Sequence, residues 1–253
     1  MKIVASVQVR MGSSRFPGKV MYSVAGKPLL GHLLDRLTLS KRLHAVVVAT
    51  AESAENDPIE SYCRERNVPC FRGSEDDVLA RTLKALQSMH ATVGVEVFGD
   101  CPLIDPDIVD TLIDEFLEDP SDPDFVGNDL KTTYPPGMDV EVFKVSALVD
   151  ADRRVRDFAI REHGTLFIRQ NPSLYKVRNV RAPPAHHRPD LELDVDTAAD
   201  IHVISNILTH FAGRSNFSLD ELIAYMDARP ELRAMNATVP RKWKVFRKES
   251  DNE

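Results

Sequence analysis

Apolar positions fall into short runs separated by amphipathic stretches, and the two patterns alternate along the first half of the chain. KIVASVQV (2–9) is a continuous run rich in β-branched residues, as expected of a strand buried on both faces. Residues 28–40 place Leu29, Leu30, Leu33, Leu34 and Leu37 at helical spacing, with Pro28 at a tolerated first-turn position. HAVVVAT (44–50) predicts a second buried strand, 57–67 a helix and 68–73 a short strand. Residues 77–90 predict an amphipathic helix, 92–100 a strand running into a loop, and 105–118 a helix with acids in its first turn. This β-α-β-α order predicts a three-layer α/β/α domain with a mostly parallel, Rossmann-like sheet.

The second half breaks the rhythm. Residues 120–143 are dense in turn formers and end in an alternating strand, which predicts a loop and hairpin excursion from the sheet. Residues 157–171 predict one helix, LYKVRNV and LELDV two short strands, and TAADIHVISNILTHF a helix entered from DVD. SLDELIAYMDAR opens with a capping box, Ser218 as N-cap and Glu221 three residues on. No internal repeat or linker divides the chain, so one domain is expected over 1–239, followed by a charged tail over 240–253.

Composition narrows the function classes. The formal net charge is −7, with 43% apolar residues, which is globular and is a poor match to a nucleic-acid binder with its basic face. No apolar run approaches the ~18 residues of a membrane span. The first residues lack the length and cleavage site of a signal peptide. Cys63, Cys70 and Cys101 form no CxxC pair, which favours a reducing compartment. The expected location is therefore the cytoplasm.

Against this acidic background stands one local concentration of positive charge. Directly after the first strand, RMGSSRFPGK carries Arg10, Arg15 and Lys19 among Gly12, Ser13, Ser14 and Gly18. Ligands of open α/β sheets bind beyond the carboxyl ends of the strands, and small residues there let backbone amides approach phosphate oxygens. The loop is neither a Walker loop nor a GxGxxG fingerprint. Asp100 ends a strand on the same rim, and Asp194 and Asp196 stand at i, i+2. On residues alone, Asp100 reads first as a turn residue and Asp196 as a helix cap. His186 and His187, adjacent and without a partner at zinc spacing, read as a solvated loop.

RMGSSRFPGK resembles the N-terminal signature of the CMP-sugar synthetases, the acylneuraminate and 3-deoxy-manno-octulosonate cytidylyltransferases. The likeness is nearest to their spore-coat polysaccharide biosynthesis protein F branch. CFRGSEDDVLAR, FGDCPLIDPDIVD, TYPPGMDVEVF, REHGTLFIRQNP and LDVDTAADIHVI follow in the same order as in that branch. Its members often read REHVT where Gly164 stands here.

The resemblance implies a GT-A-like nucleotidyltransferase sheet and the transfer of CMP from CTP to the anomeric hydroxyl of an acidic sugar, with release of pyrophosphate. It implies that Arg10, Met11, Gly12, Ser13, Ser14, Arg15 and Lys19 wrap the triphosphate. Arg72 and Ser74 would meet cytosine and ribose, and Asp100 and Asp196 would hold Mg2+ or Mn2+. Arg10, Arg15, Lys19 and Asp100 would carry the catalysis. Asp139, Glu141, Arg161 and His163 fall where the acceptor sugar would lie. It further implies a homodimer, with 120–143 as the dimerisation excursion. Two other readings stand beside it: a GT-A-like glycosyltransferase with DVD as its metal motif, and a non-catalytic nucleotide-binding subunit. Three loop cations exceed what a diphosphate-sugar donor needs, and the intact Asp100, Asp196, Arg10 and Lys19 argue against a retired enzyme.

Overall fold

A computed structural model describes residues 1–211, 214–241 and 244. The chain opens with β1 (Ile3–Gln8), the two-residue strands β2 (Ser23–Val24) and β3 (Lys27–Pro28), and helix α1 (Leu29–Leu37). β4 (Ala45–Ala51), α2 (Asp57–Glu65), β5 (Cys70–Gly73) and α3 (Val78–Ser88) follow, then β6 (Val93–Phe98) and α4 (Pro106–Glu118). The second half contributes β7 (Phe125–Gly127), β8 (Val140–Lys144), α5 (Val145–Arg154), α6 (Phe158–Arg161), α7 (Leu166–Gln170) and β9 (Val177–Asn179). Helices α8 (Ala198–His210), α9 (Leu219–Asp227) and α10 (Pro230–Ala234) close the fold.

Seven strands form one sheet in the order β5-β4-β1-β6-β8-β7-β9. Only β8 runs against the others, because it pairs antiparallel with both β6 and β7 while the remaining pairs are parallel. Alternating side chains feed two cores. Ala5, Val7, Val95 and Val97 pack with α1, α4, α8 and α9, whereas Val4, Val47 and Phe143 pack with α3 and α5. The expected three-layer arrangement is present.

Four local expectations need correction. The 120–143 segment does contain an antiparallel pair, but β7 and β8 are inner strands of the main sheet. Phe125, Val126 and Val142 are fully buried, so no apolar hairpin protrudes. The helix expected over 157–171 is broken into α6 and α7. Gly164 sits in the break, where a Cβ would fall 2.4 Å from Glu96 Oε2, so the backbone bends close over that carboxylate. LELDV is extended and buried without joining the sheet: Leu193 N donates to Pro136 O and Val195 N to Asp100 O. Finally, the charged tail begins inside the body, because Arg241 is buried among acids rather than solvated. Residues 242, 243 and 245–253 of that tail lie outside the described residues.

Candidate active site

The loop after β1 is folded back on itself. Met11 O accepts from both Ser13 N and Gly18 N at 2.8 Å, and Met11 N donates to Asn56 Oδ1. Gly18 takes φ +74°, a left-handed conformation that a side chain would strain, and so turns the chain into the short 3-10 helix Lys19–Met21. That turn sends Lys19 inward beneath the sheet rim. Its Nζ lies 3.0 Å from Asp100 Oδ2 and 3.2 Å from Asp196 Oδ1, and it also donates to Val195 O. Burial alone would lower the Lys19 pKa, but Asp100 and Asp196 outweigh it and hold the ammonium above its ordinary value.

Arg15 reaches the same acid. One guanidinium nitrogen pairs with Asp196 Oδ2 and the other donates to Pro240 O at 2.8 Å. Asp196 is not the helix cap. Thr197 is the N-cap of α8, and Asp200 Oδ2 accepts from the backbone amides of both Asp196 and Thr197. The Asp196 carboxylate is thereby left for the two cations. Asp194 diverges from it and meets Arg241 at 3.3 Å. Burial pushes the Asp194 carboxyl well above the usual range, against the pull of Arg241.

Arg15, Lys19, Asp100 and Asp196 line a cleft of about 350 Å3, and a second space of about 540 Å3 shares several of its residues and adds Asp194. Arg10, Ser13 and Ser14 also line the cleft, with Arg10 exposed and 4.0 Å from Glu75. Met11 packs against the core and Gly12 faces Glu55, so neither is in the lining. Two buried acids line the same cleft. Glu96 on β6 stands directly across from Glu141 on β8, and both are buried. Arg169 of α7 pairs with Glu141 at 2.8 Å and Asp129 at 2.9 Å, and Thr165 Oγ1 donates to Glu141. Burial raises Glu96 to about 7 despite Arg169 and Arg81, and raises Glu141 well above the carboxylate range. His163 and Asp139 also line the cleft, His163 with its pKa lowered by burial.

Three of the residues expected at the site are turned elsewhere. Arg72 pairs with Asp57 and Glu60 at 2.7 Å and caps the carbonyls of Glu52 and Ser53, so it braces α2. The Ser74 hydroxyl accepts from Asp77 N at the start of α3. Arg161 is spanned by Asp77 at 2.7 Å and Asp152 at 2.6 Å, tying α6 to α3 and α5. None of the three lines the cleft. His186 pairs with Asp220 at 2.8 Å, consistent with a surface role.

Arg81, Arg169 and Glu96 line the cleft without having been singled out from the sequence. Glu96 had a signal, a lone carboxylate in the apolar strand VGVEVF. Arg169 had none of that kind, being one cation near the end of the short helix LFIRQ.

A divalent cation fits part of this geometry. Asp100 and Asp196 come from different segments, yet their carboxylates converge on one positive charge, the Lys19 ammonium. Among the described residues no three His, Cys, Asp or Glu side chains gather to hold a metal by themselves. The two aspartates would therefore share a hard cation with oxygens of a bound substrate. No helix among the described residues is long and apolar enough to cross a membrane.

Comparison with known proteins agrees with this architecture. The chain is 32% identical over 234 residues to the spore coat polysaccharide biosynthesis protein SpsF of Bacillus subtilis (strain 168), covering 90% of this chain and 95% of that one. It is 26% identical over 243 residues to the 8-amino-3,8-dideoxy-manno-octulosonate cytidylyltransferase of Shewanella amazonensis, covering 82% of this chain and 99% of that one. A solved cytidylyltransferase from Leptospira borgpetersenii superimposes with a TM-score of 0.88 at 32% identity, over 95% of this chain and all of that one. The family model described as cytidylyltransferase matches residues 4–221, and the chain belongs to that family.

Proposed function

We propose that the protein transfers CMP from CTP to the anomeric hydroxyl of an ulosonic- or nonulosonic-acid-type sugar, releasing pyrophosphate for surface polysaccharide synthesis. The observation that carries the reading is the convergence of Arg15 and Lys19, from the loop after β1, on Asp100 and Asp196 in the lining of the cleft. The acceptor class is supported by the octulosonate cytidylyltransferase among the relatives. Family membership favours nucleotidyl transfer over a glycosyltransferase or a non-catalytic subunit.

Nucleotidyl transfer depends on positioning and charge neutralisation more than on covalent help. Arg10, Arg15 and Lys19 neutralise the triphosphate and the leaving pyrophosphate, while Ser13 and Ser14 donate to its oxygens and Met11 and Gly12 shape the loop. The glycine-turned backbone brings these groups to the rim of the sheet. Asp100 and Asp196 are the residues that would hold Mg2+ or Mn2+, which would supply charge withdrawal from the reacting phosphate and a lower pKa for the attacking hydroxyl. The acceptor lies toward Asp139, Glu141 and His163, where Arg169 adds a cation beyond those expected from the sequence. Arg72, Ser74 and Arg161 contact neither substrate in this reading; they brace the walls.

The reading includes a cytoplasmic location, supported by three cysteines that form no disulfide. It includes a homodimer on family likeness alone, since the hairpin that argued for one is inside the sheet; light scattering at micromolar concentration tests it, and a monomer contradicts it. Calorimetric titration of the four nucleoside triphosphates with Mg2+ tests the nucleotide. CTP is expected to bind tightest, and equal or tighter binding of UTP or GTP overturns the base assignment.

A further inference from the structure

The segment read from the sequence as the start of a charged tail packs against the stretch that carries Asp196. Arg241 has a side chain that is 0% exposed and is surrounded by three acids of one segment. Its Nη2 donates to Asp200 Oδ1 at 2.7 Å, its Nη1 lies 3.3 Å from Asp194 Oδ1, and its Nε lies 3.3 Å from Glu192 Oε2. Glu192 has a second cation, Lys244, at 3.6 Å.

Asp200 is the hinge of this arrangement. One carboxylate oxygen faces Arg241 and Asn236, and the other accepts from the backbone amides of Asp196 and Thr197. Asp200 thus accepts on both oxygens, and one of them fixes the backbone of Asp196. The preceding residue acts from the other side. Pro240 O accepts from Arg15, whose other guanidinium nitrogen pairs with the Asp196 side chain. Two consecutive residues thus grip both the backbone of Asp196 and its cation partner.

We infer that Arg241 is a positioning residue for the reaction: through Asp200 and Asp194 it fixes the 192–200 segment so that the Asp196 carboxylate stays at the cleft rim with Arg15. It touches no substrate. This rests on the reading of Asp196 as a metal-holding carboxylate given above. A partner one layer behind a metal ligand typically sets metal affinity by ~10- to 100-fold. The sequence offers little warning of it, since Arg241 lies 41 positions from Asp200 in a run of mixed charge.

The test compares wild type, Arg241→Lys and Asp200→Asn. Lysine keeps the charge but cannot span three acids. Asparagine keeps an oxygen for the Asp196 and Thr197 amides but weakens the pair with Arg241. Two readouts are taken: the Mg2+ concentration giving half-maximal pyrophosphate release at saturating CTP with 3-deoxy-manno-octulosonate as acceptor, and the rise in melting temperature caused by CTP with and without Mg2+. In the variants the half-activating Mg2+ concentration is expected to rise about tenfold or more. The melting shift from CTP alone should persist while the extra shift from Mg2+ shrinks. A folded variant with wild-type Mg2+ dependence in both readouts overturns the inference. Failure of both variants to fold also overturns it, because Arg241 would then be a stability element and not a positioning one. Failure of the underlying reading looks different: the wild type itself would show no Mg2+-dependent response to CTP.

Discussion

Replacing Asp196 by asparagine separates the site's chemistry from its architecture. The side chain keeps its shape and an acceptor oxygen but loses the charge that meets Arg15 and Lys19. All three side chains are largely buried, at 13%, 25% and 11% exposed, so the pairs are only partly screened by solvent. Hydrogen bonds to charged groups contribute about 1.5–3 kcal/mol each, and two sharing one carboxylate do not add. The variant should therefore lose about 2 kcal/mol of stability, a fall of roughly 4–8 °C in melting temperature for a chain of this size. The backbone bonds from Asp196 and Thr197 to Asp200 are untouched, so α8 stays capped and the fold persists. Catalysis should fall much further than stability. Loss of a metal-holding charge costs at least ~2.7 kcal/mol of transition-state stabilisation, about a hundredfold in rate. Urea denaturation gives the first quantity and pyrophosphate release below the melting range gives the second. Near-normal turnover in a folded Asp196→Asn protein would refute the argument.

Other expectations follow from neighbouring contacts. Lys19→Met removes the ammonium between Asp100 and Asp196, so CTP should bind about tenfold or more weakly. The same variant should bind Mn2+ more tightly in the absence of nucleotide, as measured by paramagnetic titration; weaker Mn2+ binding contradicts competition between the two cations. Glu96 is raised to about 7 in the folded protein, above its usual 4.5, so the native state binds the extra proton between those values. Its contribution therefore makes stability fall as pH rises from about 4.5 to 7 and level off above, by an order of about 3 kcal/mol. Glu96→Gln should flatten that part of a urea-stability profile, and an unchanged slope contradicts the assignment. Arg36 is buried and donates to the carbonyls of Ile104, Ser215 and Phe217 at 2.6–3.0 Å, so Arg36→Met should cost about 4 kcal/mol. Equilibrium denaturation checks this, and a loss below about 1 kcal/mol refutes the role.

The sheet was legible where strands are buried on both faces, because β1, β4 and β6 must then be near-continuous apolar runs. The loop cations stood out because charge and glycine concentrate directly after such a strand, and the structure brings Arg10, Arg15 and Lys19 into the cleft lining. What pattern could not supply was direction. Arg72 and Arg161 have the right chemistry for a substrate, but Asp57, Glu60, Asp77 and Asp152 claim them. Period-two spacing placed Asp194 beside Asp196, yet LELDV is held by Pro136 and Asp100 outside the sheet, and the two carboxylates meet different cations. The break between α6 and α7 depends on the Gly164 backbone lying over Glu96, a contact across 68 residues. Long-range pairing of this kind leaves no local period, and Arg241 is its clearest case.

Incubation with Mg2+, each of CTP, UTP, GTP and ATP, and a panel of ulosonic and nonulosonic acids tests the central claim most directly. Pyrophosphate release is followed continuously and the products are resolved by mass. The account predicts pyrophosphate and a CMP-sugar with CTP and at least one such acid, with no comparable release from the other three nucleotides. Release that is equal or greater with UTP or GTP, or that requires a sugar 1-phosphate in place of a free anomeric hydroxyl, would contradict it.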